Sequence, residues 1–283
     1  MELLNKPNLK DKVVVITGGA GVLCTLFSKT LAMCGAKVAI LELHLDKACN
    51  LAEEIRKSGY EATGYEANVL DKASIEKAHE DILANYGKCD ILINGAGGNN
   101  PKATTTDEFF NLDDFGKENN KSFFDLDIEG FNFVFGLNFT GTLLPTQVFG
   151  RDMIGRRGSV ILNISSMNAF TPLTKIPAYS AAKAAISNFT KWLAVHFSKS
   201  GIRVNAIAPG FFSTAQNKTL LFNPDGTPTA RTNKILNNTP MGRFGEAEEL
   251  VGTVLWLVDN NASSFVTGVV VPIDGGFSAY SGV

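Results

Sequence analysis

Residues 13–24 read VVVITGGAGVLC. The first five residues are all β-branched, which predicts a buried strand, and Gly18 and Gly21 follow it closely. Glycine reaches backbone conformations that are closed to other residues, and a helix that begins after such a turn presents free N–H groups to a pyrophosphate. An ordinary glycine turn is the alternative interpretation, because a lone glycine motif is weak evidence. The stretch favours a strand–turn–helix unit that begins a nucleotide-binding α/β fold.

Short β-branched runs alternate with longer helical patterns along the rest of the chain. The helical patterns include 45–58, 71–86, 177–199 and 246–259, and the predicted strands are 13–17, 37–41, 61–67, 90–94, 158–164, 203–208 and 268–273. This alternation is typical of a parallel sheet that is covered on both faces. We therefore predict a single-domain doubly wound (Rossmann) α/β fold over residues 1–283, with a seven-stranded parallel sheet and helices on both faces.

Composition and charge exclude several classes of function. The formal net charge is −2 and the pI is about 6.0, and no lysine/arginine run indicates nucleic acid or anionic lipid as a partner. No uncharged apolar run reaches the roughly 18 residues that a membrane span needs. The four cysteines lack metal-ligand spacing, so we expect no metal site and reduced thiols in a cytoplasmic protein.

Two long segments interrupt the alternation, at about 98–128 and 211–240. Each follows a predicted strand, and the carboxyl ends of parallel strands are where open α/β sheets bind ligands. Loops longer than about 12–15 residues are usually functional or disordered. We expect the two segments to form one shared substrate pocket.

The end of the second predicted strand carries a carboxylate, Glu42, 24 residues after Gly18. At this position a carboxylate accepts hydrogen bonds from an adenosine ribose, and it repels a 2′-phosphate. Leu43 beside it offers no cation, so the residues favour NAD over NADP. Polar and small residues after the third and fourth strands are expected to line the adenine and ribose side: Asn68, Val69, Asn94, Ala96 and Gly97.

The stretch AYSAAKAAIS (178–187) places Tyr179 and Lys183 four residues apart on one predicted helix. A nearby ammonium, together with an oxidised nicotinamide, favours the phenolate, and we expect it to lower the tyrosine pKa by ~2–3 units. The alternative is a surface tyrosine beside a solvated lysine. Ser166 follows the fifth strand and can hydrogen-bond the substrate oxygen. Asn138 interrupts an apolar run, either as a helix kink or as part of a water-held proton relay.

The motifs TGGAGVL, NGAG, NISS, YSAAK, RVNAIAPG and DGG together resemble those of the short-chain dehydrogenase/reductase family over essentially the whole chain. The resemblance implies an enzyme with a catalytic tetrad of Asn138, Ser166, Tyr179 and Lys183, in which Tyr179 is the acid/base. It also implies a homotetramer. Family positions assigned to the cofactor, beyond those named above, are Leu23, Tyr179, Lys183, Pro209, Gly210, Phe212 and Thr214.

One departure concerns the glycine turn. The family pattern has glycine at the positions of Val22 and Cys24, while Gly21 comes one place early. This departure puts the detailed pyrophosphate geometry in question, though not nucleotide binding itself.

Within the family, the segments NNPKATTT and SSMNAFTPLTKIPAYS resemble the D-mannonate oxidoreductase (fructuronate reductase) branch. This resemblance implies a sugar-acid substrate, whose carboxylate requires a cation. We expect Lys175 or Arg231 to supply the cation. The phenylalanines of the segment 211–240 leave a more apolar ligand as an alternative. The alternatives are a ketoreductase for another polyol or acyl substrate and an inactive nucleotide-sensing protein. The candidate substrate-binding residues are Asn100, Asn168, Lys175, Gln216 and Arg231.

Overall fold

Seven parallel strands form one sheet in a computed structural model that describes residues 6–213 and 221–282. The strands are β1 (Val13–Thr17), β2 (Lys37–Glu42), β3 (Ala62–Glu66), β4 (Ile91–Asn94), β5 (Ser159–Ile164), β6 (Ile202–Pro209) and β7 (Val270–Ile273). Their order in the sheet is β3-β2-β1-β4-β5-β6-β7. This order confirms the predicted doubly wound sheet.

Helices connect these strands and cover both faces of the sheet. The α-helices in the described ranges are α1 (Cys24–Met33), α2 (Leu45–Lys57), α3 (Lys72–Asn85), α4 (Ile128–Phe135), α5 (Gly141–Met153), α6 (Pro177–His196), α7 (Ala230–Asn237), α8 (Val251–Val258) and α9 (Asn260–Ser263). Three of them, α1, α2 and α8, pack on one face, while α3, α5 and α6 pack on the other.

The inner strands contribute alternate residues to the two hydrophobic layers. In β1, Val14 and Ile16 pack against the α1/α2/α8 face, and Val13 and Val15 pack against the α3/α5/α6 face. Because both faces are buried, the strands are almost continuously apolar, which is the pattern that made them recognisable in the sequence. None of the helices in the described ranges has the length and hydropathy that a membrane span requires.

The sheet places its binding crevice at the carboxyl end of β1. β1 pairs with β2 on one side and with β4 on the other, so the connections change direction between β1 and β4. Open α/β sheets bind ligands at this switch point. The segment after β4 contains short 3₁₀ turns at Pro101–Ala103, Leu112–Asp114 and Phe123–Asp125 before α4 begins.

One π-helical turn, Gly136–Thr140, separates α4 from α5 and contains Asn138. A π-turn inside a helix inserts one extra residue and is often found at functional sites. The Thr142 hydroxyl donates to the Asn138 carbonyl oxygen at 2.8 Å. The polar interruption of the apolar run therefore marks a real irregularity of the helix.

Candidate active site

The glycine turn after β1 packs directly against the loop after β4. Gly18 has a φ of +61°, and a Cβ added to it would lie 3.0 Å from the backbone of Ala96. The buried Thr17 hydroxyl oxygen accepts hydrogen bonds from the backbone N–H groups of Gly95 (3.1 Å) and Ala96 (3.3 Å). Thr17 is a site residue that sequence reasoning missed, because its partner loop is distant in sequence.

Cys24, at a family glycine position, is accommodated by a glycine on the facing loop. A Cβ added to Gly95 would lie only 2.3 Å from the Cys24 Sγ. The thiol therefore fills the space that Gly95 leaves open. Burial, with a contribution from the negative charge of Glu42, raises the pKa of Cys24 to about 12, so this thiol is not a nucleophile at neutral pH.

Glu42 lies at the end of β2, beside the glycine turn. Its Oε1 accepts a hydrogen bond from the backbone N–H of Ala20 at 2.8 Å. Leu43, next to it, is exposed. The turn that carries Gly18 thus fixes the carboxylate at the crevice. Leu23, another predicted cofactor residue, lies at the start of α1.

The loop after β3 lies close to the π-turn. A Cβ added to Gly141 would lie 2.9 Å from a Val69 methyl carbon, and Val69 itself is buried. Asn68 is exposed, and its Oδ1 accepts a hydrogen bond from the Leu70 N–H at 3.0 Å. The two residues predicted for the adenine side thus lie beside the helix that carries Asn138.

Three other predicted cofactor residues form hydrogen bonds or pack within the protein itself. The Asn94 Nδ2 donates to Asn163 Oδ1 (2.8 Å) and Thr146 Oγ1 (3.0 Å). Phe212 is buried in the hydrophobic layer of α1 and α8. The Gly210 N–H donates to the Ile273 carbonyl oxygen, next to Pro209. Thr214 and Gln216 lie outside the described residues.

Asn138 connects the π-turn to the loop after β4. The side chain is completely buried. Its Nδ2 donates to the carbonyl oxygens of Gly98 and Val134, both at 2.7 Å, and its Oδ1 accepts from the Gly98 N–H at 3.3 Å. This bonding fixes the amide against the start of the long segment that follows β4.

Lys183 reaches the same place from α6. Its side chain is 4% exposed, and its Nζ donates to the Ile164 carbonyl oxygen at 2.8 Å. The Nζ lies 5.5 Å from the centre of the Tyr179 ring. A Cβ added to Gly97 would lie 2.7 Å from Asn138 Oδ1 and 3.2 Å from Lys183 Nζ. Asn138 and Lys183 therefore both lie beside the α-carbon of Gly97.

Ser166 completes the group at the end of β5. Its hydroxyl interacts with the Tyr179 phenol, and its Oγ accepts a hydrogen bond from the Asn168 N–H at 3.3 Å. The structure thus brings together the four residues that the motifs predicted for catalysis. These residues come from three separate segments of the chain, because Tyr179 and Lys183 both lie on α6.

The pKa of Tyr179 differs from the expected value. Burial disfavours the phenolate and raises the pKa above its ordinary value, and the Ser166 hydroxyl offsets only part of this effect. The predicted lowering of this pKa was for Lys183 together with an oxidised nicotinamide, and Lys183 alone does not produce it. Burial lowers the pKa of Lys183 itself to about 8, because a charged ammonium is poorly solvated in this environment.

The predicted substrate residues occupy different environments. Asn168 is buried, and its Oδ1 has no hydrogen-bond partner among the described residues. The Asn100 Oδ1 accepts from the Lys102 N–H at 2.9 Å and thereby begins a 3₁₀ turn. Lys175 adopts a positive φ of 69° just before α6, and Arg231 lies on α7.

Sequence reasoning missed two charged residues near the predicted cations. Glu108, in the segment after β4, pairs with Lys234 on α7 at 2.7 Å. Lys175 and Arg231 act on the same carboxylate electrostatically. No motif indicated Glu108 or Lys234, because their pairing depends on tertiary structure.

Comparisons with known proteins agree with this arrangement. Residues 12–223 match the family model for short chain dehydrogenase. The chain is 59% identical to an uncharacterized oxidoreductase of Haemophilus influenzae over 283 residues, covering 100% of this chain and 99% of that protein. It is 54% identical over 276 residues to the uncharacterized oxidoreductase UxuB of Bacillus subtilis, with 98% of each covered.

A solved structure extends the similarity to three dimensions. It is a crystal structure of a provisionally named D-mannonate oxidoreductase from Haemophilus influenzae with bound NAD, and it matches with a TM-score of 0.95. The two sequences are 60% identical, with 98% of each chain covered. The family match, the relatives and the assembled tetrad together lead to one conclusion: this chain belongs to the short-chain dehydrogenase family of oxidoreductases.

Proposed function

We propose that this protein is an NAD-dependent oxidoreductase that interconverts a secondary alcohol and a ketone of a sugar acid, with D-mannonate and D-fructuronate as the substrate pair. One observation carries the proposal: Tyr179, Lys183, Ser166 and Asn138 meet at one end of the sheet, beside the glycine turn. Catalysis of this kind requires an acid/base group next to the dinucleotide crevice.

The residues at the crevice fit NAD. Gly18 and Gly97 leave open backbone where other residues would carry a Cβ. Glu42 Oε1 is occupied by the Ala20 N–H, and the other carboxylate oxygen suits the hydroxyl groups of an adenosine ribose. A 2′-phosphate at this position would be repelled by the carboxylate. The NAD bound to the Haemophilus influenzae protein supports the same assignment.

The chemistry that NAD supplies when bound is the acceptance of a hydride from the carbinol carbon. The protein then has to remove the hydroxyl proton, and Tyr179 is the group for this task. Because burial raises the pKa of Tyr179, its phenolate needs positive charge nearby, which Lys183 and an oxidised nicotinamide supply. Ser166 orients the reacting oxygen of the substrate, and Asn138 takes part in the water-held proton relay.

The substrate class is supported by charge at the two substrate loops. Lys175 lies four residues before Tyr179, just ahead of α6, and Arg231 lies on α7, in the long segment after β6. Neither side chain has a hydrogen-bond partner within the described parts of the chain, so both are available to a carboxylate. The provisional name of the Haemophilus influenzae structure supports mannonate as the particular sugar acid.

Exposed aromatic residues on α6 support the proposed homotetramer. Trp192 is 57% exposed and stacks between Phe189 and His196, with ring centres 6.2 and 4.6 Å away. Val195, on the same helix, is also exposed. Large exposed apolar surfaces often mark protein–protein interfaces. A molar mass of four chains in light scattering is the expected result, and the cytoplasmic location remains a prediction from the sequence.

The proposed function is tested with purified protein and a panel of substrates. We expect NADH oxidation with D-fructuronate and NAD reduction with D-mannonate, followed at the nicotinamide absorbance band. The panel includes other aldonates, neutral polyols and a β-ketoacyl thioester, and each is tested with NAD(H) and NADP(H). Faster turnover of the thioester or of a neutral polyol than of every sugar acid would contradict the proposal.

A further inference from the structure

An ion pair connects the two long segments that extend from the carboxyl edge of the sheet. The Lys234 ammonium on α7 donates to Glu108 Oε2 at 2.7 Å, across 126 residues of sequence. The Glu108 side chain is 29% exposed, whereas the Lys234 side chain is 66% exposed. The carboxylate is therefore the more enclosed partner.

Two further cations act on the same carboxylate. The hydrogen bond from Lys234 makes the largest contribution to lowering the pKa of Glu108, and the charges of Lys175 and Arg231 also lower it. Lys175 is held in this region by its backbone, because its carbonyl oxygen accepts a hydrogen bond from the Thr105 N–H at 2.9 Å. Its positive φ of 69° is unusual for a lysine and is compatible with a functional constraint.

The charges at this place do not balance. Three cations act on the Glu108 carboxylate: Lys234, which is paired with it, Arg231, one turn earlier on α7, and Lys175, whose backbone bonds to Thr105. Three cations held near one another repel, so they require an anion to keep them together. Lys234 is committed to Glu108, while Lys175 and Arg231 remain available to a second anion. A substrate carboxylate is an anion of the appropriate charge.

We propose that Glu108 is a positioning residue for substrate recognition: it holds Lys175, Arg231 and Lys234 together, so that Lys175 and Arg231 bind the substrate carboxylate. This inference rests on the proposed function, because it requires a substrate that carries a carboxylate. Glu108 itself does not touch the substrate. It acts through the cations.

The test compares Glu108→Gln with the wild-type enzyme, using D-mannonate and its uncharged amide as substrates with NAD. We expect the KM for mannonate to rise about fivefold, with kcat and the KM for the amide little changed. Glu108→Asp, which keeps the charge, should recover part of the loss. Glu118→Gln is the matched control, since Glu118 is an exposed carboxylate of the same segment without an ion pair among the described residues.

The possible results separate the inference from the proposed function. A lower KM for mannonate in Glu108→Gln would show that Glu108 competes with the substrate carboxylate, and an unchanged KM would show that it has no role; either contradicts the inference. An equal rise for mannonate and the amide would indicate a general loosening of the loops and would also overturn it. Absence of wild-type turnover with every sugar acid would contradict the proposed function, and the inference with it.

Discussion

Replacing Lys183 by methionine should stabilise the protein while removing its activity. Lys183 is 4% exposed, and burial lowers its pKa from 10.5 to about 8. This difference corresponds to ~3 kcal/mol of unfavourable free energy for the charged form at pH 7. Methionine has similar length and no charge, so the variant avoids this cost.

One interaction is lost in return. The Lys183 Nζ donates to the Ile164 carbonyl oxygen at 2.8 Å, and leaving this oxygen without a donor costs about 1 kcal/mol. We therefore expect Lys183→Met to raise the free energy of unfolding by ~2 kcal/mol and the Tm by ~4–8 °C.

The sign of the pH dependence follows from the lowered pKa. Below pH 8 the lysine is charged in both the folded and the unfolded protein, so the full cost is present. Between pH 8 and 10.5 the folded protein loses the proton first, and wild-type stability rises relative to the variant. The advantage of Lys183→Met should therefore shrink by ~1 kcal/mol between pH 8 and pH 9.

The assay is urea unfolding at pH 7, 8 and 9, without added nucleotide. Lys191→Met is the matched control, because Lys191 is an exposed lysine of the same helix, and little change is expected. A variant that is less stable than the wild type at pH 7, with unchanged pH dependence, would refute the assignment of Lys183 as a poorly solvated cation.

Two further predictions concern the crevice. Gly97→Ala should reduce kcat at least about tenfold and destabilise the fold by about 1–3 kcal/mol, because the added Cβ would lie 2.7 Å from Asn138 Oδ1. Gly98→Ala is the control and should be tolerated, because its Cβ would lie 3.6 Å from the Leu137 side chain. Glu42→Gln keeps the acceptor for Ala20 and removes the charge, so kcat/KM with NADPH relative to NADH should rise about tenfold. An unchanged cofactor preference would show that Glu42 does not face the ribose.

The sheet could be predicted from sequence because both of its faces are buried. β1 is the run VVVIT with a glycine turn after it, and β2 contains the apolar run VAIL (38–41), which a helix follows. The predicted strand 61–67 is shorter in the structure, at Ala62–Glu66. The local hydrophobic pattern and the turn residues were therefore sufficient to predict the sheet.

Motifs indicated the four residues that the structure brings together, but not the electrostatics of these residues. Spacing brings Tyr179 and Lys183 to one helix, yet it does not report how deeply each is buried. Burial determines the direction of both pKa shifts in the protein without nucleotide, so the lowering expected for Tyr179 stays a prediction for the complex with oxidised nicotinamide. The Glu108–Lys234 pair was beyond prediction, because it joins two irregular segments 126 residues apart.

The most direct measurement is the turnover of Tyr179→Phe with D-mannonate and NAD, alongside NADH binding by fluorescence. Phenylalanine keeps the ring and removes the hydroxyl group that interacts with Ser166. We predict a loss of about 10³-fold in kcat, with the affinity for NADH within a few-fold of the wild-type value. Turnover close to that of the wild type would contradict the assignment of Tyr179 as the acid/base group.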